Sequence, residues 1–350
     1  MGRNLPHLDS ELRLTLTRAD LKTLDRHNVD PRRPVRLVPV FIPKPWGQEV
    51  WYTGIEARGE SRVQLDTGEV PLSAYLAQDT RLISDQSQIL LLKVLDPKAV
   101  EARGELYFEV HEAKQEVYVV THIDADAWPG GQGGIRFGMN QEKRAQYASD
   151  EAFRSAYLER VEQYRNLRRA IDEDGEVIES SVEAEVRSAM NAFTHQRPLN
   201  VGDVVQVPTW TPHSLLHGVR VVEFQTPTYE RYIISFSQQV LTQEDWDSRQ
   251  AITHMRLNSP EPEIFEQVAP GVERIARFSD FNVWRVDLDT AQTVSLPATL
   301  PYAVCMTLQN PTTVGPLELA AEQACFIPHL ALNESVFRGS GQVLIAAPNL

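Results

Sequence analysis

The stretch from Gly104 to Val120, GELYFEVHEAKQEVYVV, constrains this chain more than any other. Two strand-like apolar runs carry Glu109, His111 and Glu116 among apolar neighbours. Residues two apart in a strand share a face, so Glu109 and His111 point the same way, and Tyr107 with them. The five residues EAKQE permit a tight turn that returns Glu116 on the neighbouring strand. Two carboxylates and an imidazole then converge inside a β-barrel. That set suits zinc or another divalent first-row metal, with a fourth ligand supplied from elsewhere.

A second stretch supplies that ligand. GDVVQVPTWTPH, Gly202 to His213, reads as a turn, a strand, a proline corner and a histidine. Gly202 and Asp203 suit the turn, and Pro208 and Pro212 shape a corner that aims His213 inward.

Around these stretches the chain is rich in short strand-like runs. QILLLKVLD, QEVYVVTHI and VRVVEFQTP fall in the first two thirds, and FNVWRVDLD, YAVCMTLQN, ACFIPHL and QVLIAAP in the last. The pattern breaks once. Phe153, Tyr157, Val161, Tyr164 and Leu167 recur at helical spacing, and ESSVEAEVRSAMNAF predicts a second helix. Residues 8–27 predict one or two short helices, with a proline-rich, extended lead-in after them. The expected organisation is an N-terminal extension over 1–40, a metal-binding β domain over 41–140 plus 201–260, a helical insert over 141–200, and a second, smaller β domain over 261–350.

Charge narrows the partners. Lys and Arg number 34 against 48 Asp and Glu, a formal net charge of −14. This disfavours nucleic acid and anionic membranes, while leaving an anionic metabolite open through a local basic pocket. No apolar run reaches the roughly 18 residues of a spanning helix. The start, MGRNLPHLDSELRL, has no signal-peptide core, which points to the cytoplasm. Cys305 and Cys325 lie in apolar strands and read as buried free thiols. GGQGG precedes a strand rather than opening a helix, so it carries no phosphate-loop expectation.

EVH…E resembles the first cupin motif, with Glu109 in place of its first histidine. GDVVQVPTWTPH resembles the second, with Trp210 in place of its glycine. The order LLLKVLD, EVHEAKQEVYVV, helical insert, VGDVVQVPTWTPHSLL, VVEFQTP and a terminal β region is similar to that of type I mannose-6-phosphate isomerases, from about Pro43 onward. The resemblance implies a mainly β fold of two cupin (jelly-roll) domains with an inserted helical segment. It implies one Zn2+, or another divalent first-row metal, per chain, on Glu109, His111, Glu116 and His213. Arg231, Glu223 and Lys114 fall on catalytic positions and Lys93 on a pocket lysine. Tyr107 stands where the family has a phosphate-contacting serine, and the loop that usually follows the motif histidine is missing.

The activity this implies is an aldose–ketose isomerisation through an enediol, on a sugar or sugar phosphate. Glu223 is the first candidate for the proton-carrying group, and Lys93, Lys114 or Arg231 supplies positive charge. Two other readings use the same residues: a carbohydrate-binding cupin without catalysis, and a cupin-type metal-dependent oxidoreductase. Local charge balance suggests Asp96 as a partner for Lys93, and Lys114 as one for Glu109. His217 reads as a loop residue, and His122 and His329 as structural.

Overall fold

The computed structural model describes residues 29–349 except 57, 67, 85–86, 242 and 292–293; the helices expected over 8–27 lie outside these residues. Within them the chain is mainly β, a cupin-like fold with a helical segment.

Strand runs apolar on both faces form a sheet buried on both faces. That sheet has six strands, in the order Val204–Val207, Glu116–Ile123, Val219–Gln225, Leu91–Pro97, Gly47–Trp51, Val40–Lys44. Alternate side chains go to two different cores. Leu92, Val94, Val117, Val119, Val222 and Phe224 pack toward a nine-stranded sheet built mostly from the C-terminal strands. Leu95, Tyr118, Val120, Val205 and Val221 pack the other way, with Ile135, Phe137, Leu215 and Ile233 of a five-stranded sheet. This second space is the barrel interior, and the polar residues of interest share its register.

The five-stranded sheet runs Thr194–Leu199, Gly133–Met139, His213–Leu215, Phe108–Val110, Tyr232–Ser235. Its outer face is covered by helices Asp150–Asp172, Ser180–Asn191 and Ser248–His254. The apolar stripe expected from spacing is that contact: Phe153, Tyr157, Val161 and Tyr164 are buried, and Leu167 packs beside them. Ser149 caps the first helix by accepting from the Ala152 N–H.

The proline-rich lead-in departs from its expected role. Val35–Val38 is a strand of the nine-stranded sheet, between Ala324–Pro328 and Arg62–Leu65. Val40–Lys44 is an edge strand of the six-stranded sheet. Prolines sit at strand ends and on edges because they donate no ladder hydrogen bond. Cys305 and Cys325 are cross-strand neighbours, free and fully buried, with Sγ atoms 3.2 Å apart.

Candidate metal centre and cleft

The ladder register brings distant residues together. On the five-stranded sheet Glu109 lies directly opposite His213, and His111 follows on the same face. On the six-stranded sheet Trp51, Lys93, Glu223 and Tyr118 form one row across four neighbouring strands. Glu116 lies two residues before Tyr118 on that inward face. Sheet pairing therefore converges residues more than a hundred positions apart.

One atom from each of Glu109, His111 and His213 forms a group whose members all lie within 4.8 Å of one another. Glu116 stands beside this trio, its oxygens 3.5 Å from His111 Nε2 and 3.2 Å from His213 Nε2. It is also held by other donors: Lys114 Nζ at 2.6 Å and the Tyr118 hydroxyl at 2.7 Å. Lys114 thus pairs with Glu116, not with Glu109 as charge balance along the sequence suggested. A lysine two residues before a strand residue shares its side of the chain.

The second stretch folds as its residues require. Gly202, at φ 92°, makes the turn before the strand, and its N–H donates to the Val120 carbonyl. After Pro208 the chain turns through Trp210, whose φ of 59° is the conformation that favours glycine. The Trp210 N–H donates to the His111 carbonyl at 2.6 Å, so the corner of one motif is pinned to the histidine of the other. The indole stacks on Tyr232 at 5.6 Å and lies 5.2 Å from the His254 ring.

The donor chemistry fits a cation. His213 Nδ1 lies 2.9 Å from the Thr211 carbonyl, which only accepts, so Nδ1 donates and Nε2 faces the site with its lone pair. His213 Nε2, both nitrogens of His111 and Glu109 Oε2 are buried without a hydrogen bond. Buried polar atoms seldom stay unpaired, and a ligand commonly explains those that do. Burial and the Lys114 ammonium push His111 below its usual range, keeping it a neutral, lone-pair-bearing imidazole. Burial also pushes His213 down, but Glu116 and Glu109 outweigh it and pull it up. The same excess of carboxylate that draws a proton there would draw a metal ion.

Beside the trio, reached at Glu109, opens a cleft lined by Glu109, Glu116, Lys93, Lys114, Glu223 and Arg231 among others. Lys93 Nζ lies 3.2 Å from Glu223 Oε1; Asp96, its expected partner, instead accepts from Gln48 Nε2 on the opposite face. Burial pushes Lys93 down, but Glu223 and Glu49 outweigh it and hold the ammonium charged. Burial pushes Glu223 up to about 8, with Glu116 adding to the rise and Lys93 opposing it. Arg231 lies with its guanidinium 4.5 Å from the Tyr107 ring centroid. Tyr107, buried mainly in apolar surroundings, is pushed up to about 12 and stays a neutral phenol.

The cleft also holds charged residues that no motif marks. Lys44 and Glu49 pair at 3.2 Å on the edge hairpin, and Trp51 Nε1 donates to Glu49 at 2.6 Å. Their signal was Glu49 and Trp51 two apart in a strand. The turn at Glu112–Gln115 is held by Glu230, which accepts from the Glu112 and Ala113 N–H groups. His217 stacks on Trp128 at 4.8 Å in a turn, and His122 and His329 lie outside the cleft. Among the described residues, no helix is long and apolar enough to cross a membrane.

The fold is that of known phosphomannose isomerases. The mannose 6-phosphate isomerase from Bacillus subtilis superposes with a TM-score of 0.63 at 15% identity, over 89% of this chain and 99% of the other. A histidine variant of the phosphomannose isomerase from Salmonella typhimurium gives 0.67 at 14% identity, over 91% and 100%. A zinc-bound mannose 6-phosphate isomerase gives 0.67 at 14%, over 91% and 100%. No family model matches the sequence, and no curated protein matches it.

Proposed function

We propose that this protein is a metal-dependent aldose–ketose isomerase, acting on a sugar or sugar phosphate in the cleft beside Glu109, His111 and His213. The observation that carries the reading is the convergence of Glu109, His111 and His213, with buried ligand atoms that lack hydrogen bonds, beside a charged cleft that Glu109 lines. A divalent ion there, zinc by its ligand types, supplies Lewis-acid stabilisation of negative charge on the sugar oxygens. His111, His213 and a carboxylate oxygen of Glu109 would hold it. Glu116 completes the set or orients it through Lys114 and Tyr118.

The chain's own groups do the rest. Aldose–ketose isomerisation takes a proton from the carbon beside the carbonyl and returns one to the former carbonyl carbon. Glu223 suits that proton transfer. It is buried, its Oε1 lies 3.2 Å from the Lys93 ammonium, and its raised pKa brings both protonation states within reach near neutral pH. Lys93 steadies its ionised form, and Lys114 and Arg231 place positive charge near the developing oxyanion.

The test is solvent-deuterium incorporation at the carbon next to the carbonyl, with zinc-loaded protein and a panel of aldoses and their phosphates. Incorporation lost in Glu223→Gln but not in a surface variant supports the reading; no incorporation with any member of the panel refutes it. A second reading, a carbohydrate-binding cupin without turnover, draws on the pairing of Lys93 with Glu223 and of Lys114 with Glu116, which leaves both lysines engaged. Saturable sugar binding with no isotope incorporation would establish that reading instead.

A further inference from the structure

Resting on the isomerase reading of this cleft, we infer that its ligand is a neutral polyhydroxylated sugar rather than a phosphate ester. The first ground is how the cleft's charges are spent. Lys44 is paired with Glu49 at 3.2 Å, Lys93 with Glu223 at 3.2 Å and Lys114 with Glu116 at 2.6 Å. Arg58 at the mouth is paired with Glu56, and Arg231 is balanced electrostatically by Glu109. Glu230 is a sixth lining carboxylate. Five cations thus face six carboxylates, and a bound divalent ion moves the cleft only from one net negative to one net positive charge. A phosphate dianion entering it must break an ion pair or meet a carboxylate, and sites that take phosphate present uncommitted cations or clustered N–H groups.

The second ground is the kind of hydrogen-bonding capacity left over. Gln225 Oε1 is a buried cleft atom without a hydrogen bond, on the same strand face as Glu223. An amide oxygen is an acceptor only. Sugar hydroxyls donate to such atoms; a phosphate dianion only accepts and cannot satisfy them. The third ground is the rings. Trp51 and Tyr107 line the cleft, and Tyr229 lies at its mouth with Arg58 3.9 Å from its centroid and Arg231 6.0 Å. Aromatic faces suit the C–H face of a pyranose.

The experiment measures binding and turnover separately, on zinc-loaded full-length protein, with aldohexoses and aldopentoses each paired with its terminal phosphate monoester. Calorimetry is expected to show at least one free sugar binding about tenfold or more tightly than its phosphate. Glu56→Gln, which releases Arg58, is expected to narrow that preference by about fivefold. Phosphate esters binding more tightly than their parent sugars, or no free sugar binding at all, overturns the inference. Isotope incorporation judges the isomerase reading independently. Turnover of phosphates alone keeps that reading and sinks this one; free-sugar binding without incorporation does the reverse.

Discussion

At the scale of single residues, the corner before His213 shows what a motif letter stands for. A glycine there supplies a positive φ, and Trp210 adopts φ 59° in its place while its ring packs on Tyr232 and His254. A left-handed conformation costs a non-glycine residue about 1 kcal/mol, which the indole packing offsets. Trp210→Gly is therefore expected to be more stable than Trp210→Ala by about 1 kcal/mol in urea denaturation, since both lose the ring and only alanine keeps the backbone cost. Equal stabilities would mean the turn relaxes when the ring goes. The buried histidines give a second test. His111→Ala and His213→Ala are each expected to lower zinc affinity by more than about a hundredfold, beyond what losing a hydrogen-bond partner of a ligand costs. Metal analysis after dialysis reads the result, and unchanged zinc content would remove both residues from the site.

At the scale of elements, the row Trp51, Lys93, Glu223, Tyr118 shows why register matters more than neighbourhood along the chain. Asp96 is three residues from Lys93 in sequence, but three is odd, and the strand turns it to the other face. Glu223 lies directly opposite Lys93 in the ladder and takes the pair. Breaking a buried pair leaves one uncompensated charge, so Lys93→Met is expected to cost about 3–5 kcal/mol at alkaline pH, where Glu223 is ionised, and less at neutral pH, where Glu223 can keep its proton. Replacing both members, Lys93→Met with Glu223→Leu, is expected to recover most of that loss, because two apolar residues of similar size need no partner. A double variant as unstable as the sum of the two singles would show that the residues do not act as a pair. The helical segment was legible for a related reason. Its stripe of Phe153, Tyr157, Val161 and Tyr164 repeats at a period that only a helix buries on one side.

At the scale of the whole molecule, the helices are tied to the barrel by charge as well as by packing. Glu105, buried on the barrel side, faces Arg136 of the five-stranded sheet at 3.5 Å and Arg187 of helix Ser180–Asn191 at 3.9 Å, with His217 at 3.8 Å. Burial alone would raise its carboxyl, but His217, Arg136 and Arg187 outweigh burial and hold it below the usual range. A depressed carboxylate contributes stability above its unfolded pKa of about 4.3 and loses it as pH falls through its folded value. The protein is thus expected to lose stability on acidification below about pH 4.3, with Glu105→Gln less stable at neutral pH and flatter across that acid range. Urea midpoints as a function of pH check this; parallel curves for the two proteins would assign the acid sensitivity to other carboxylates.

Residue order alone dictates the alternation that makes strands, the helical stripe, and the pattern that sets Glu109 and His111 on one face with His213 after a proline corner. These are local properties, governed by residue type and by periods of 2 and 3.6. Folding in three dimensions settles which carboxylate each lysine meets. It also holds Glu116 by Lys114 and Tyr118 beside the Glu109, His111 and His213 trio, and brings Lys44 and Glu49 into the cleft from an edge hairpin. The pairing of the lead-in strand Val35–Val38 with Ala324–Pro328 belongs to the same class. The physical reason is that cross-strand partners follow from ladder register and sheet order, which are set by burying two faces of one sheet in two cores at once, and no window of neighbouring residues contains that condition.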